Sequence, residues 1–230
     1  MQAIIIGILI TISTILIYLA MNIIYYKYHY TLLLPLLTST VLIITILILI
    51  NMPYETFMIG GNWIESLLGP AIVSLAVPLY KQRNLLKQNM LPIILGVMVG
   101  VLVGIVSGLV FAKMAGFSEE LIVTLLPKSI TTPIAIQIAN SLGGIPSLTA
   151  VFVMIAGFTG VILGPLLFKK MKIETAIGRG MALGVASHVI GTSKAFEYGV
   201  EEASISSIAM TLCAIIGSIV GPLIAWLFFL

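Results

Sequence analysis

Two short polar clusters interrupt a sequence that is otherwise almost entirely apolar. One lies in LLPKSITTPIAIQIANSLGG, residues 125–144, and the other in SHVIGTSKA, residues 187–195. Their ammonium, hydroxyl, amide and imidazole groups are the kinds of group that bind a small anion. The residues that we predict to bind substrate are Lys128, Ser129, Thr131, Thr132, Pro133 and Gln137 in the first cluster, and Ser187, His188, Gly191 and Thr192 in the second.

The first cluster places a charge and several hydroxyls within an apolar segment. A charge at the centre of a membrane helix costs roughly 2.5–3.5 kcal/mol on insertion scales, so Lys128 is expected to face an interior cavity. The alternative is that Lys128 extends to the membrane interface, because it lies only eight residues after Glu120. Pro133 frees a backbone carbonyl near the hydroxyls, and a helix N-terminus there would favour a carboxylate. Alternatively, the hydroxyls bond to carbonyls of their own helix.

The second cluster contains His188, which we predict to lie at membrane depth, whereas the other histidine, His29, lies in a loop. An imidazole at that depth can serve as a ligand donor or a proton carrier. A buried histidine whose hydrogen bonds are satisfied is the alternative. Lys194 is expected to pair with one of the acidic residues that follow it, Glu197, Glu201 and Glu202.

The sequence does not suggest an enzyme. Ser187 and His188 are adjacent, so on a helix they point about 100° apart and cannot form a catalytic dyad. The chain has no aspartate, no metal-binding spacing of His and Cys, and no glycine-rich phosphate loop. We therefore expect no catalytic residue, no metal and no cofactor. A nucleic-acid partner is not expected either, because basic residues are not interleaved with aromatic ones.

The composition predicts a polytopic membrane protein. The chain has 230 residues, of which 60% are hydrophobic and only 8% charged, whereas soluble domains carry about 25% charged residues. Each span needs about 20 apolar residues. Uninterrupted apolar runs cover about 3–24, 32–50, 90–112, 146–168 and 204–229, and runs broken by Pro, Gly and hydroxyls cover about 63–80, 121–141 and 176–196. The first run is expected to be a retained helix rather than a signal peptide.

The positions of Lys and Arg predict the orientation, since these residues favour cytoplasmic loops. Basic residues mark three cytoplasmic loops, which contain Lys27, then Lys81 to Lys87, then KKMK at 169–172. The loops 51–65, 113–120 and 197–203 are then external. KKMK is cytoplasmic only if 121–141 enters the membrane and returns to the same side. We therefore predict an all-α protein of about seven transmembrane helices plus a re-entrant segment and discontinuous helices, with the N-terminus outside and the C-terminus inside.

A weak internal similarity suggests an inverted repeat. SLLGPAIVSLAVPLY at 66–80 aligns with MALGVASHVIGTSKA at 181–195, and the predicted directions of the two segments are opposite. Inverted repeats with broken helices near the bilayer midplane are common in secondary transporters. We predict a single membrane domain made of two repeats, 1–115 and 116–230.

Glycines recur every fourth residue in GVMVGVLVGIVSG, at Gly96, Gly100, Gly104 and Gly108. Such faces let helices approach closely in a membrane. We predict a helix-packing role within the chain, with a subunit interface or a sliding surface as alternatives.

The two polar clusters, together with GGNWIE, AVPLYKQR and SSIAMTLCAIIGSIVGPL, resemble the CidB/LrgB family from about residue 55 onward. The resemblance implies a holin- or antiholin-like modulator of murein hydrolase activity, autolysis and programmed cell death, acting with a small CidA/LrgA-type membrane partner. Plastid relatives resemble glycolate/glycerate carriers, and bacterial ones are linked to pyruvate uptake. The family motif maps onto two sets of residues: Lys128, Ser129, Thr131, Thr132 and Pro133, and Ser187, His188, Gly191 and Lys194.

Both functions remain open at this point. The two polar segments favour secondary transport of a small monocarboxylate, of the pyruvate, lactate and glycolate class, by alternating access in the bacterial inner membrane. His188 is the possible proton carrier, and H⁺ or Na⁺ is the possible coupling ion. The expected partners are the carboxylate substrate, a second copy of the chain in a homo-dimer, and the CidA/LrgA-type protein. The alternative is a holin-like membrane assembly that regulates autolysis.

Overall fold

The computed structural model describes residues 2–28, 30 and 33–229, and His29 lies outside them. This part of the chain is almost wholly helical and contains no β-strand. The α-helices are α1 Gln2–Tyr28, α2 Pro35–Leu49, α3 Tyr54–Glu65, α4 Leu68–Ser74, α5 Ala76–Lys81, α6 Arg83–Gln88, α7 Met90–Met114, α8 Glu119–Leu125, α9 Thr132–Ser141, α10 Pro146–Met171, α11 Ala176–Ala195 and α12 Val200–Phe229.

Five helical stretches are long and apolar enough to cross a membrane within the described residues. They are Ala3–Tyr28, Tyr54–Lys81, Met90–Met114, Pro146–Met171 and Val200–Phe228, and the apolar helix Pro35–Leu49 is shorter. The prediction of an all-α polytopic membrane protein with discontinuous helices is confirmed. The count of about seven spans is not confirmed.

The chain forms two compact units, Met1–Ala71 and Ile72–Leu230. In the first unit, α1 packs against α2 and α3. The Thr11 hydroxyl donates to the Gly60 carbonyl at 3.2 Å, and Gly60 lets the two backbones meet because a Cβ there would lie 2.7 Å from the Gly7 oxygen. The proposed repeats 1–115 and 116–230 stay a prediction.

Three long helices, α7, α10 and α12, form the frame of the second unit. We name its two ends after α7, as the Met90 end and the Lys113 end. The Phe228 ring of α12 lies 5.0 Å from the Lys113 ammonium, so α12 finishes at the Lys113 end. The Phe168 ring of α10 lies 5.9 Å from Tyr198, in the turn just before α12 begins, so α10 finishes at the Met90 end.

The first hairpin, residues 119–145, enters from the Lys113 end and returns to it. Ser118 caps α8, and a 3-10 helix that begins at Leu126 carries the chain into the break. The chain is extended at Ile130, and α9 then begins with Pro133 in its first turn, where proline is tolerated. The Ile145 N–H donates to the Thr124 hydroxyl at 2.9 Å, which closes the hairpin. This shape agrees with the predicted re-entrant segment, whose depth in a membrane stays a prediction.

The second hairpin, residues 173–199, enters from the Met90 end and also returns. It reverses inside α11 at His188, whose φ of 51° and ψ of −125° are not helical. A Cβ on Gly191 would lie 2.0 Å from the Leu183 oxygen, so the two limbs lie against each other. The Arg179 guanidinium lies 5.4 Å from the Tyr198 ring, which brings both ends of the hairpin together.

This hairpin corrects two predictions. Segment 176–196 does not cross the unit, because its ends meet beside the end of α10. The KKMK loop and the end of α12 then lie at opposite ends of the same bundle, so a cytoplasmic KKMK and a cytoplasmic C-terminus are incompatible. The sequence did not reveal the reversal, because residues 173–200 contain no proline.

The glycines of the long helices make room for the hairpins. Along α7, Cβ atoms on Gly96 and Gly100 would lie 2.7 and 2.5 Å from Met181 and Val185 of the second hairpin. Cβ atoms on Gly104 and Gly108 would lie 2.7 and 3.1 Å from Ser129 and Lys128 of the first hairpin. This glycine face is therefore in contact within the chain, along its whole length.

Candidate functional site

The tips of the two hairpins meet near the middle of α7. Ser129 at the first tip lies against Gly104, and Val185, three residues before the break at His188, lies against Gly100, one helical turn away. The meeting point is about as far from the start of α7 as from its end. Both predicted polar clusters therefore converge inside the second unit, and each is carried there from a different end.

The Lys128 ammonium is held at this meeting point by a backbone carbonyl. Its Nζ donates to the Gly104 oxygen at 2.9 Å and to the Ser129 hydroxyl at 3.3 Å. The side chain is half-buried. The ammonium therefore points to mid-bundle rather than to the Lys113 end, and since it has three donor hydrogens, it can also bind an anion.

The His188 side chain is almost fully buried, at 3% exposure. The imidazole lies near the Lys128 ammonium and the Ser129 backbone, but it makes no hydrogen bond to either. Neither ring nitrogen has a hydrogen-bond partner in the described part of the chain. Buried polar atoms are nearly always paired, and strained backbone conformations concentrate at functional sites. His188 combines buried nitrogens that have no partner with a strained backbone conformation.

Ser187 is the second buried group without a partner. It is 1% exposed, and its Oγ makes no hydrogen bond to any described residue. The hydroxyl lies against α10, where a Cβ on Gly160 would be 2.2 Å from it. Unsatisfied donors and acceptors therefore concentrate at the second tip.

The remaining residues of the first cluster divide into two groups. Thr131 is buried at the N-terminus of α9 and makes no side-chain capping bond, and Thr132 and Pro133 form the first turn of this helix, half-buried. Gln137 lies on the exposed side of α9. The structure thus places Thr131, Thr132 and Pro133 next to the tip, and Gln137 away from the buried side of the helix.

The remaining residues of the second cluster have packing partners. The Thr192 hydroxyl donates to the His188 carbonyl at 3.0 Å and lies 2.9 Å from the Ser206 hydroxyl of α12. Gly191 allows the limbs of the hairpin to touch. Lys194 pairs with Glu197 at 2.5 Å, as expected.

Two contributors to the site could not be identified from the sequence. The Gly104 carbonyl anchors Lys128, and the Cys213 thiol of α12 donates to the Ser129 carbonyl at 3.3 Å. A backbone carbonyl carries no sequence signal, and a single cysteine in an apolar helix resembles any small core residue. No cluster of His, Cys or Glu in the described residues could hold a metal ion.

Comparison with known proteins identifies the family. A model of the LrgB-like family matches residues 14–227. The chain is 54% identical to the uncharacterized protein YxaC of Bacillus subtilis, over 99% of each chain. It is 38% identical to YwbG of the same organism, over 94% of this chain and 96% of the relative. It is 37% identical to the holin-like protein CidB of Staphylococcus aureus, over 88% and 89% respectively.

No solved structure matches the chain. The match to the family model covers nearly the whole sequence, and it includes both hairpins and the three long helices that frame them. The predicted resemblance is therefore confirmed, and this protein belongs to the LrgB-like family.

Proposed function

We propose that this protein is a secondary transporter of small monocarboxylates, of the pyruvate, lactate and glycolate class, in the bacterial cytoplasmic membrane. One observation carries the proposal: two hairpins enter one helical bundle from opposite ends, and their tips bring Lys128 and Ser129 beside His188. A site near the middle of the bundle, with one hairpin reaching it from each end, suits alternating access, in which one repeat or bundle moves against another around a fixed site.

The chemistry of the tips suits a carboxylate. The Lys128 ammonium supplies charge, and the hydroxyls of Ser129, Thr131 and Thr132 supply neutral donors. The unpartnered nitrogens of His188 supply a donor and an acceptor for a 2-oxo or 2-hydroxyl oxygen. Proton coupling would use His188 or the substrate's own carboxyl, whereas Na⁺ coupling would use hydroxyl and carbonyl oxygens.

We also propose an inverted pair that differs from the predicted halves. The first hairpin is followed by α10, and the second by α12, and the two pairs run in opposite directions. This pairing, 119–171 with 176–229, supports a transporter because inverted repeats exchange roles between the two open states. The basic residues at the Met90 end favour a cytoplasmic location for that end, by the distribution of Lys and Arg.

The test is uptake of radiolabelled pyruvate, lactate and glycolate into proteoliposomes that contain the full chain, with entrapped dye as a leak control. Saturable uptake that is stimulated by an imposed H⁺ or Na⁺ gradient is expected, without dye loss. His188→Ala and Thr132→Val are expected to abolish uptake while the protein remains monodisperse. Normal uptake by both variants would show that the hairpin tips are not the substrate-binding site.

A second candidate function comes from the CidB relative, which is described as holin-like. In that case the chain would form an assembly, with copies of itself or a CidA/LrgA-type partner, that regulates murein hydrolase activity and autolysis. Dye loss without saturable uptake would favour this function. If neither saturable uptake nor dye loss is seen, both measurements are repeated after co-reconstitution with the small partner protein. Uptake would then favour the transporter, and dye loss would favour the holin-like assembly.

A further inference from the structure

Ser107 of α7 shares a hydrogen-bond acceptor with Lys128. Its hydroxyl donates to the Gly104 carbonyl at 3.2 Å, and the Lys128 ammonium donates to the same oxygen at 2.9 Å. The Ser129 hydroxyl lies 3.3 Å from that ammonium. Two donor groups therefore meet at one backbone acceptor, with the Ser129 hydroxyl beside the ammonium. This concentration of hydrogen-bond donors suits an anion.

This cluster is partly open, although it lies near the middle of α7. Ser107 is exposed, and Lys128 and Ser129 are half-buried. An ammonium that faced lipid at this depth would be costly, whereas a water-filled opening keeps it hydrated. We expect the opening to contain water.

A second observation points to a ligand at the same place. The His188 side chain is only 3% exposed, and its two nitrogens have no partner among residues 2–28, 30 and 33–229. The ring lies near Lys128. A buried group of this kind requires an explanation such as an absent ligand. The cluster is thus exposed at Ser107, and an unsatisfied imidazole lies near its Lys128 and Ser129 members.

We infer that Ser107 completes a carboxylate-binding site with Lys128 and Ser129 and sets the affinity of that site. The Ser107 hydroxyl and the Lys128 ammonium both contact the Gly104 oxygen, so they are close enough to reach the two oxygens of one carboxylate. The Ser107 hydroxyl has a single hydrogen, so it turns away from the Gly104 carbonyl when it donates to the carboxylate. The inference rests on the proposed function only for the identity of the anion, a short monocarboxylate.

The test places a cysteine at position 107 in the full chain with Cys213→Ser, which keeps a donor toward the Ser129 carbonyl. We expect Ser107→Cys to react faster with an anionic than with a cationic methanethiosulfonate, on the order of tenfold, as electrostatic attraction allows. Lys128→Gln should remove this preference. Pyruvate should slow the reaction, and neutral pyruvamide should not.

The matched control is Ser218→Cys on α12. Ser218 is also exposed and also donates to a carbonyl three residues earlier, Ile215, at 2.8 Å. We expect no charge preference and no protection at this position. If Ser107→Cys does not fold, Ser107→Ala should weaken pyruvate binding several-fold and Ser107→Thr should restore it.

Three results would overturn the inference: no reaction at position 107 with either reagent, a preference that survives Lys128→Gln, or no protection by pyruvate, lactate or glycolate. Protection by these anions without uptake in proteoliposomes would support the carboxylate-binding site and contradict the proposed transport function. The two proposals therefore fail separately.

Discussion

Gly191 lies directly against the carbonyl group of Leu183, eight residues earlier in the chain, although both residues belong to α11. In a continuous helix these residues would be separated by about 12 Å along the axis. Their contact exists because the chain reverses at His188. The same reversal brings the polar tip of the second hairpin to the glycine face of α7.

Gly191→Ala is expected to disrupt the second hairpin. The added Cβ would lie 2.0 Å from the Leu183 oxygen and 2.7 Å from the Ser187 Cβ, so a limb must move. We expect a large loss of thermal stability in detergent, together with loss of substrate uptake. The control is Gly69→Ala, because a Cβ on Gly69 would meet nothing within 4 Å. Equal melting temperatures for the two variants would contradict the hairpin.

Thr124→Val is expected to loosen the base of the first hairpin. The Thr124 hydroxyl accepts from the Ile145 N–H and donates to the Glu120 carbonyl at 2.6 Å. Valine leaves the Ile145 N–H without its partner, at a cost of about 1–3 kcal/mol. Thermal unfolding of the purified protein measures the loss.

The control for Thr124 is Thr159→Val on α10. The Thr159 hydroxyl is exposed and bonds only to the Ile155 carbonyl of its own helix, at 2.7 Å. Its removal should leave stability nearly unchanged. An equal loss in the two variants would show that the bond from Thr124 to Ile145 does not hold the hairpin closed.

The re-entrant character of the first hairpin could be predicted from the sequence. Pro127 and Pro133 mark its break, and the position of KKMK requires the chain to return. The polar residues that meet there could be identified because an ammonium and hydroxyls are costly in an apolar segment. Lys128, Ser129 and His188 are indeed brought together.

The second hairpin could not be predicted, for a physical reason. Its break has no proline and occurs at a histidine, and it is stabilised by long-range close contacts. Gly180 and Gly184 permit these contacts, since Cβ atoms there would lie 2.7 and 2.3 Å from the Glu202 and Ser206 carbonyls. A glycine pattern indicates that something approaches closely, but not which element does so.

The positions of the loops give a topology test. With Cys213 replaced by Ser, cysteines at Lys170 and Glu201 should share one side of the membrane, and a cysteine at Ala115 should face the other. This follows because the second hairpin returns to the end of α10. On intact cells, an impermeant maleimide should label Ala115→Cys only, if the basic loops are cytoplasmic.

Permeabilised cells supply the control, because all three cysteines should then react. All three positions lie at exposed sites in the turns or helix ends of the second unit. Labelling of Glu201→Cys but not of Lys170→Cys from outside would show that segment 176–196 crosses the membrane.

Ser187→Ala and Ser206→Ala should have opposite effects on stability. Both hydroxyls are buried, but that of Ser206 pairs with Thr192 at 2.9 Å, whereas that of Ser187 has no partner among the described residues. Removal of a paired hydroxyl costs about 1 kcal/mol, while removal of an unsatisfied one is neutral or stabilising. We therefore expect Ser187→Ala to melt at or above the temperature of the parent protein and Ser206→Ala to melt below it.

If Ser187 binds the substrate, added pyruvate should raise the melting temperature of Ser187→Ala less than that of the parent. A lower melting temperature for Ser187→Ala, with an undiminished response to pyruvate, would make its hydroxyl a structural group and exclude it from the site.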